Sequence, residues 1–112
     1  MANESFEDMT TLWTRAEQST SQFELEELAK HQDHQTRSIV AHNPNTPESI
    51  LIILAEDKNF SVRHSVAGNQ NVSASILERL SKDADKDIRE RVYRNQKTPN
   101  SVLEKLKEEF GN

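Results

Sequence analysis

The sequence predicts an all-α solenoid of about three 26-residue repeats, two helices to each, stacked behind an N-terminal capping helix. Three observations carry this. Like residues recur at a constant step with no insertion. Each copy holds two apolar stripes at helical rather than alternating spacing. The apolar fraction, 33%, falls below the ~45–50% of ordinary globular chains, which suits thin layers better than one thick core.

Leu28, Leu54, Leu80 and Leu106 lie 26 residues apart, and so do Arg37, Arg63 and Arg89. Val40, Val66 and Val92 keep the same step, as do Asn43, Asn69 and Asn95. One such unit holds only about three to five apolar side chains, too few to offset its own ordering entropy. Neighbours must stack to make a continuous core, and roughly three units are the minimum.

Taken in order, residues 1–20 are the capping helix of a single domain spanning 1–112. Phe6, Met9, Trp13 and Ala16 follow a 3-4-3 spacing within 5–17. A solenoid's open end needs such a cover; the competing reading has Phe6 and Trp13 dock a partner. Residues 21–27 open a partial repeat, with Ser21-Gln22-Phe23-Glu24 as a capping box ahead of Leu25 and Leu28. Repeats follow at 28–53, 54–79 and 80–105. In each, the longer helix is expected to start at Thr46-Pro47 or its counterpart Thr98-Pro99, Thr capping and Pro in the first turn. In the middle copy Ser73 or Asn71 serves as the cap. The stripe then runs Ile50, Leu51, Leu54, echoed by Val102, Leu103 and Leu106. The shorter helix carries Val62, Val66 and Ala67, echoed by Ile88 and Val92. It is expected to stop at Asn69 or Asn95 through the left-handed conformation that Asn tolerates. Residues 106–112 end the stack: Phe110 is a last core contact and Gly111 a helix stop, so the chain is expected to be whole rather than cut within a repeat.

The runs Val62-Arg63-His64-Ser65-Val66-Ala67-Gly68-Asn69 and Arg37-Ser38-Ile39-Val40-Ala41-His42-Asn43-Pro44-Asn45-Thr46-Pro47 resemble the variant leucine-rich repeat family over residues 21–106. The resemblance implies a right-handed superhelix of alternating α and 3₁₀ helices, related to HEAT-like solenoids. In such solenoids an Asp–Arg ladder links repeats; Asp57 and Asp83 stand six residues before Arg63 and Arg89. His31 replaces that Asp in the first copy. Tyr93 replaces Ala41 and Ala67, so the third layer must splay or leave Tyr93 near the surface. The family's founding member has a cysteine-bound iron–sulfur cluster; this chain has no cysteine, which excludes that cofactor. No activity is common to the family, and shape does not fix function.

Arg37, Arg63 and Arg89 form a column that could be an anion stripe. A structural ladder fits better: they can pair with Asp57 and Asp83, or with Asp33 and Asp85 one turn upstream. Asn43, Asn69 and Asn95 form a second column that satisfies turn backbone groups. His31 and His34 flank Asp33, but a zinc site needs three or four rigid ligands, and these histidines do not recur in later copies. No metal and no cofactor is expected.

Enzyme chemistry is not expected either. There are only two glycines, Gly68 and Gly111, so no phosphate-cradling loop can form. The acidic clusters fall on solvated faces, where no burial tunes their acidity. What stands out is apolar: Ile52 and Ile53 occupy positions that hold Glu26-Glu27, Glu78-Arg79 and Glu104-Lys105 in the other copies, and Phe60 aligns with His34 and Lys86. Exposed contiguous apolar surface marks partner sites. The bland alternative is that the N-terminal helix covers Ile52 and Ile53.

Charge is uneven. Residues 1–30 hold seven acids against two bases, the whole of the chain's net −5. By contrast, Arg79, Lys82, Lys86, Arg89, Arg91, Arg94 and Lys97 outnumber the acids of 79–97 by three. The leading reading is a non-catalytic protein-interaction or scaffold module using Ile52, Ile53, Phe60 and Tyr93, its partner another protein. Nucleic-acid binding through the 79–97 face is the alternative. A small-molecule-binding accessory or lyase-like protein ranks last. With no apolar run near the ~18 residues of a membrane span and no signal segment at Met1, a soluble, cytoplasmic chain is expected.

Overall fold

The computed structural model describes residues 7–111, and their regular structure is entirely helical. Eight α-helices follow in order: α1 (Met9–Gln18), α2 (Gln22–Leu28), α3 (His34–His42), α4 (Glu48–Leu54), α5 (Phe60–Gly68), α6 (Ala74–Leu80), α7 (Lys86–Arg94) and α8 (Asn100–Phe110). From α2 onward, every second helix starts 26 residues after its counterpart: Gln22, Glu48, Ala74 and Asn100 in one set, His34, Phe60 and Lys86 in the other.

The expected helix lengths are reversed except in the last copy, where α8 has eleven residues against nine in α7. The helix after Thr46-Pro47, α4, has seven residues, whereas α5 has nine. The stripe Ile50, Leu51, Leu54 is spent after two turns, and the chain then turns through bonds from the Glu56 and Asp57 N–H groups to the Ile53 and Leu54 carbonyls. None of the described helices is 3₁₀. Four-residue bonds such as Leu51 N–H to Pro47 O (3.1 Å) and Ala55 N–H to Leu51 O (2.8 Å) hold α4, and three-residue bonds recur at helix ends and in the turns between helices.

Thr46 does not cap α4. It is buried, and its hydroxyl donates backwards to the Val40 carbonyl at 2.6 Å; Thr98 does the same to Val92. Those carbonyls lie in the last turn of α3 and α7, where acceptors run short of partners. Pro47 and Pro99 take the N-cap positions without a side-chain bond, while Ser73 caps α6 by accepting from the Ile76 N–H at 3.3 Å. Half of the capping box at α2 is present. Ser21 accepts from the Glu24 N–H, but the Glu24 carboxylate turns to Arg15 instead.

Asn43, Asn69 and Asn95 do not enter the left-handed region; their φ values are −66°, −73° and −73°, and the chain leaves each helix extended. Their side chains do the work of termination. Each amide Nδ2 donates to two carbonyls of the layer before: Asn43 to Ala16 and Ser19, Asn69 to Ala41 and Asn43, Asn95 to Ala67 and Asn69, at 2.7–3.2 Å. Each Oδ1 accepts the N–H two residues on, at Asn45, Asn71 and Lys97.

Helices α1, α3, α5 and α7 pack side by side in one row, and the even-numbered helices lean against it. The core is the seam between the two sets, where Val40, Val62, Val66, Ile88 and Val92 meet Leu51, Leu54, Leu77, Leu80 and Val102. The radius of gyration is 15.3 Å and the extents are 59 × 22 × 18 Å. A spherical chain of this length would have a radius of about 13 Å, so the molecule is drawn out along the row.

At the N-terminus α1 covers 9–18 rather than 5–17; Phe6 lies outside the described residues. Helix α1 presents the Ala16 and Ser19 carbonyls to Asn43 as the next layer presents its own to Asn69, and α1 and α2 both pack on α3. Trp13 does not face outward for a partner: its indole N–H donates to the Asp33 carboxylate at 3.2 Å. At the C-terminus Tyr93 is partly buried rather than bare. Helix α8 runs to eleven residues and lays Phe110 against the Tyr93 ring, centroids 5.8 Å apart. Tyr93 fills the side of α7 that packs beneath Phe110 of α8. Tyr93→Ala, although it restores the residue of the inner layers, is therefore expected to cost about 1–2 kcal/mol, measured by urea titration; a neutral outcome would show that the ring covers nothing.

Candidate functional site

Helix α4 buries Ile50, Leu51 and Leu54 and turns Ile52 and Ile53 outward, 50% and 67% exposed. The N-terminal helix does not reach them, because α1 packs on α3. Ile52 borders a shallow cleft between α4 and α6 with Ser75, Ile76 and Arg79. Phe60, also half exposed, opens instead onto a different groove formed with α3 and α7. Tyr93 is partly buried under Phe110. The four residues therefore do not converge; Ile52 and Ile53 stand together and the other two stand apart. Phe23 on α2 is 73% exposed, where its counterparts are Ser49, Ser75 and Ser101. The column comparison that singles out Ile52 would have found it too.

The arginine column is inward-looking. Arg37 grips Asp57 with Nε and Nη2 at 2.8 and 3.1 Å, Arg63 grips Asp83 at 2.9 and 3.3 Å, and Arg89 grips Glu109 at 3.0 and 2.6 Å. The Nη1 groups donate at 2.8 Å to the carbonyls of His31, Asp57 and Asp83. Each guanidinium thus bridges its own turn to the acid twenty residues ahead. Asp33 and Asp85, the alternative partners, cap α3 and α7 instead. Glu109 continues the Asp57, Asp83 step and was not anticipated.

Burial would raise the Asp57 carboxyl, but the bonds from Arg37 and the Asn59 N–H hold it below its ordinary value. For Asp33 too, bonds from Thr36 and Trp13 outweigh desolvation, and the Arg89 bond lowers Glu109. Lowered carboxyl groups are the reverse of what a general acid at neutral pH requires.

The basic stretch 79–97 is divided by the fold. Arg79 pairs with Glu56 on the even-numbered side, where Lys82 lies nearby. Lys86 starts α7 near Glu109, and the Lys97 backbone is tied to Asn95. Arg91 and Arg94 face the α3–α5–α7 side; Arg94 meets Glu90 at 3.5 Å and stacks over Tyr93. His31 accepts the Asp33 N–H on Nδ1 at 3.0 Å, the bond that Asp57 and Asp83 make to Asn59 and Asp85. Among the described residues no group of three or more His, Cys, Asp or Glu is placed to hold a metal.

A groove of about 500 Å³ runs over α5, walled by Gln35 and Ser38 of α3 and by Asp87, Glu90, Arg91 and Arg94 of α7. Ser38 is 7% exposed and its hydroxyl has no hydrogen-bond partner. No helix of the described residues is long and apolar enough to cross a membrane. Compared with known proteins, the chain matches no family model, no curated protein and no solved structure.

Proposed function

We propose that the chain is a small non-catalytic α-solenoid, a right-handed superhelix similar to the variant leucine-rich repeat proteins, that serves in the cytoplasm as a protein-interaction module. The 26-residue stepping of the helices and the two ladders of Arg–acid and Asn–carbonyl bonds support the solenoid reading. One observation carries the function: Ile52 and Ile53 lie side by side in solvent where the flanking layers carry Glu26, Glu27, Glu78 and Arg79. A layer that needed only solubility would carry charge there too, and apolar side chains on a solvated face gain by being covered. Binding of nucleic acid is the weaker reading, because Arg79, Arg89 and Arg94 already hold carboxylates and the basic residues fall on two sides of the molecule.

The test is Ile52→Glu with Ile53→Arg. Helical circular dichroism and the urea midpoint are expected to stay within about 0.5 kcal/mol of the parent, as for exposed positions generally. A protein co-purified with the parent from its native cell should be lost. Unfolding of the variant would place the two residues in the core, and a retained partner would place the interface elsewhere.

A further inference from the structure

We propose that the groove along α5 binds an extended acidic peptide, a carboxylate meeting Arg91 at the Gly68 end and an apolar side chain meeting Phe60 at the other. Arg91 differs from the ladder arginines. It takes neither Asp87, one turn back on α7, nor Glu90, which Arg94 holds. Its guanidinium rests on α5 at Gly68, where a Cβ would come within 2.6 Å of Nε and 2.7 Å of Nη2. The matching positions in α3 and α7 are His42 and Arg94, so α5 alone offers this bare seat. With the Nε and Nη2 edge laid on Gly68 and no ion pair made, the outer edge of Nη1 and Nη2 is the pair of donors left for an incoming carboxylate.

A second observation points to the same place. Ser38, on the α3 wall, has a buried hydroxyl without a partner, and a buried polar group in that state asks for a reason. Phe60 adds half-exposed apolar surface at the start of α5. The groove is also polarised. Helices α5 and α7 run the same way, since Asn95 reaches Ala67 and Asn69 at one end and Arg63 reaches Asp83 at the other. Asp87 therefore stands at the Phe60 end, where it repels a carboxylate, and Arg91 stands closer to Gly68.

Spacing follows from helix geometry. Phe60 and Gly68 are eight helical residues apart, about 12 Å. An extended peptide advancing about 3.3 Å per residue covers that in four steps, and residues four apart in a strand point to the same side. The peptide thus carries its apolar and its acidic residue four apart, in either order. This deepens the reading that the chain binds protein, but it uses a face away from Ile52 and Ile53, so either proposal can fail without the other.

The experiment is a titration of the ¹⁵N-labelled full chain, followed by amide shifts, with Gly/Ser peptides carrying one Leu and one Glu. The peptide with four-residue spacing should saturate shifts around Ser65, Gly68 and Arg91. Spacing of three, or Gln in place of Glu, should weaken binding about tenfold. Arg91→Gln should erase the preference for Glu over Gln. Gly68→Ala, which pushes the guanidinium off its seat while leaving Arg91 in the chain, should do the same; both variants should keep the parent's circular dichroism. The proposal is overturned if no peptide saturates, if spacing or the Glu makes no difference, if Arg91→Gln retains the preference, or if an oligothymidine binds the groove more tightly than any peptide.

Discussion

Replacing Asn69 by alanine is expected to cost about 3 kcal/mol of folding stability, from three lost hydrogen bonds and the buried polar groups left behind. Asn69 is 2% exposed. Its amide joins Ala41 and Asn43 of the layer before, and its oxygen holds the Asn71 N–H at 2.8 Å. A small domain has only about 5–15 kcal/mol in total, so urea denaturation should register a large shift. Asn69→Asp should be no better at neutral pH, since a carboxylate turns an acceptor toward two carbonyl oxygens. Burial and the facing carbonyls raise its folded pKa, so the carboxyl protonates and part of the stability should return as pH falls. Asn71→Ala is the control. Asn71 is exposed and its side chain donates to Pro44 O, and losing that side chain, which leaves the backbone N–H in place, should cost less than about 1 kcal/mol. Equal effects at 69 and 71 would show that the buried amide column does not bind the layers together.

What could be read in the sequence was whatever depends on a step of 26. The leucine, arginine and asparagine columns located the helices from α2 to α8, because a residue that recurs in register must meet the same surroundings each time. The misreadings have a common physical origin: they concern where a side chain sends its bond, which composition does not reveal. Thr46 reads as a cap and bonds backwards to Val40. Asn69 reads as a left-handed stop and reaches sideways to the previous layer. The bonds of Asn43 to α1 were hidden because Ala16 and Ser19 fall one and two residues short of the 26-step from Ala41 and Asn43. Glu109 was legible as the successor of Asp83, only a methylene longer. For the candidate sites, the exposure of Ile52 and Ile53 followed from the column comparison, whereas the seat of Arg91 on Gly68 depends on one rotamer and could not.

The two ladders also explain how a chain so poor in apolar residues spares some for its surface. Apolar contact is concentrated in the seam, and polar side chains join one layer to the next. The solvent side of α4 is thereby relieved of packing duty, and its pair of isoleucines stays exposed.

Arg37→Met is expected to cost about 2–3 kcal/mol at neutral pH, because it strands a largely buried carboxylate. The side chains of Arg37 and Asp57 are 13% and 10% exposed, and the pair is bidentate. Asp57 also accepts the Asn59 N–H, so Asp57→Asn keeps the backbone bond while removing the charge. The double variant should recover most of the loss, since it leaves no unpaired charge, and a double-mutant cycle isolates the coupling. Acid provides the independent check. Arg37 and the Asn59 N–H hold the Asp57 carboxyl below its ordinary value. A lowered carboxyl contributes stability that is present above its unfolded pKa, about 3.9, and lost as pH falls through the folded value. In Arg37→Met the unpaired, buried carboxyl shifts the other way, and protonation relieves it. The stability gap between parent and variant should therefore be widest near pH 7 and should narrow as the pH falls below about 4, read from urea titrations at each pH. A gap that stayed constant across that range would mean the guanidinium acts through its bonds to the His31 and Gln32 carbonyls, and that the acid ahead adds nothing.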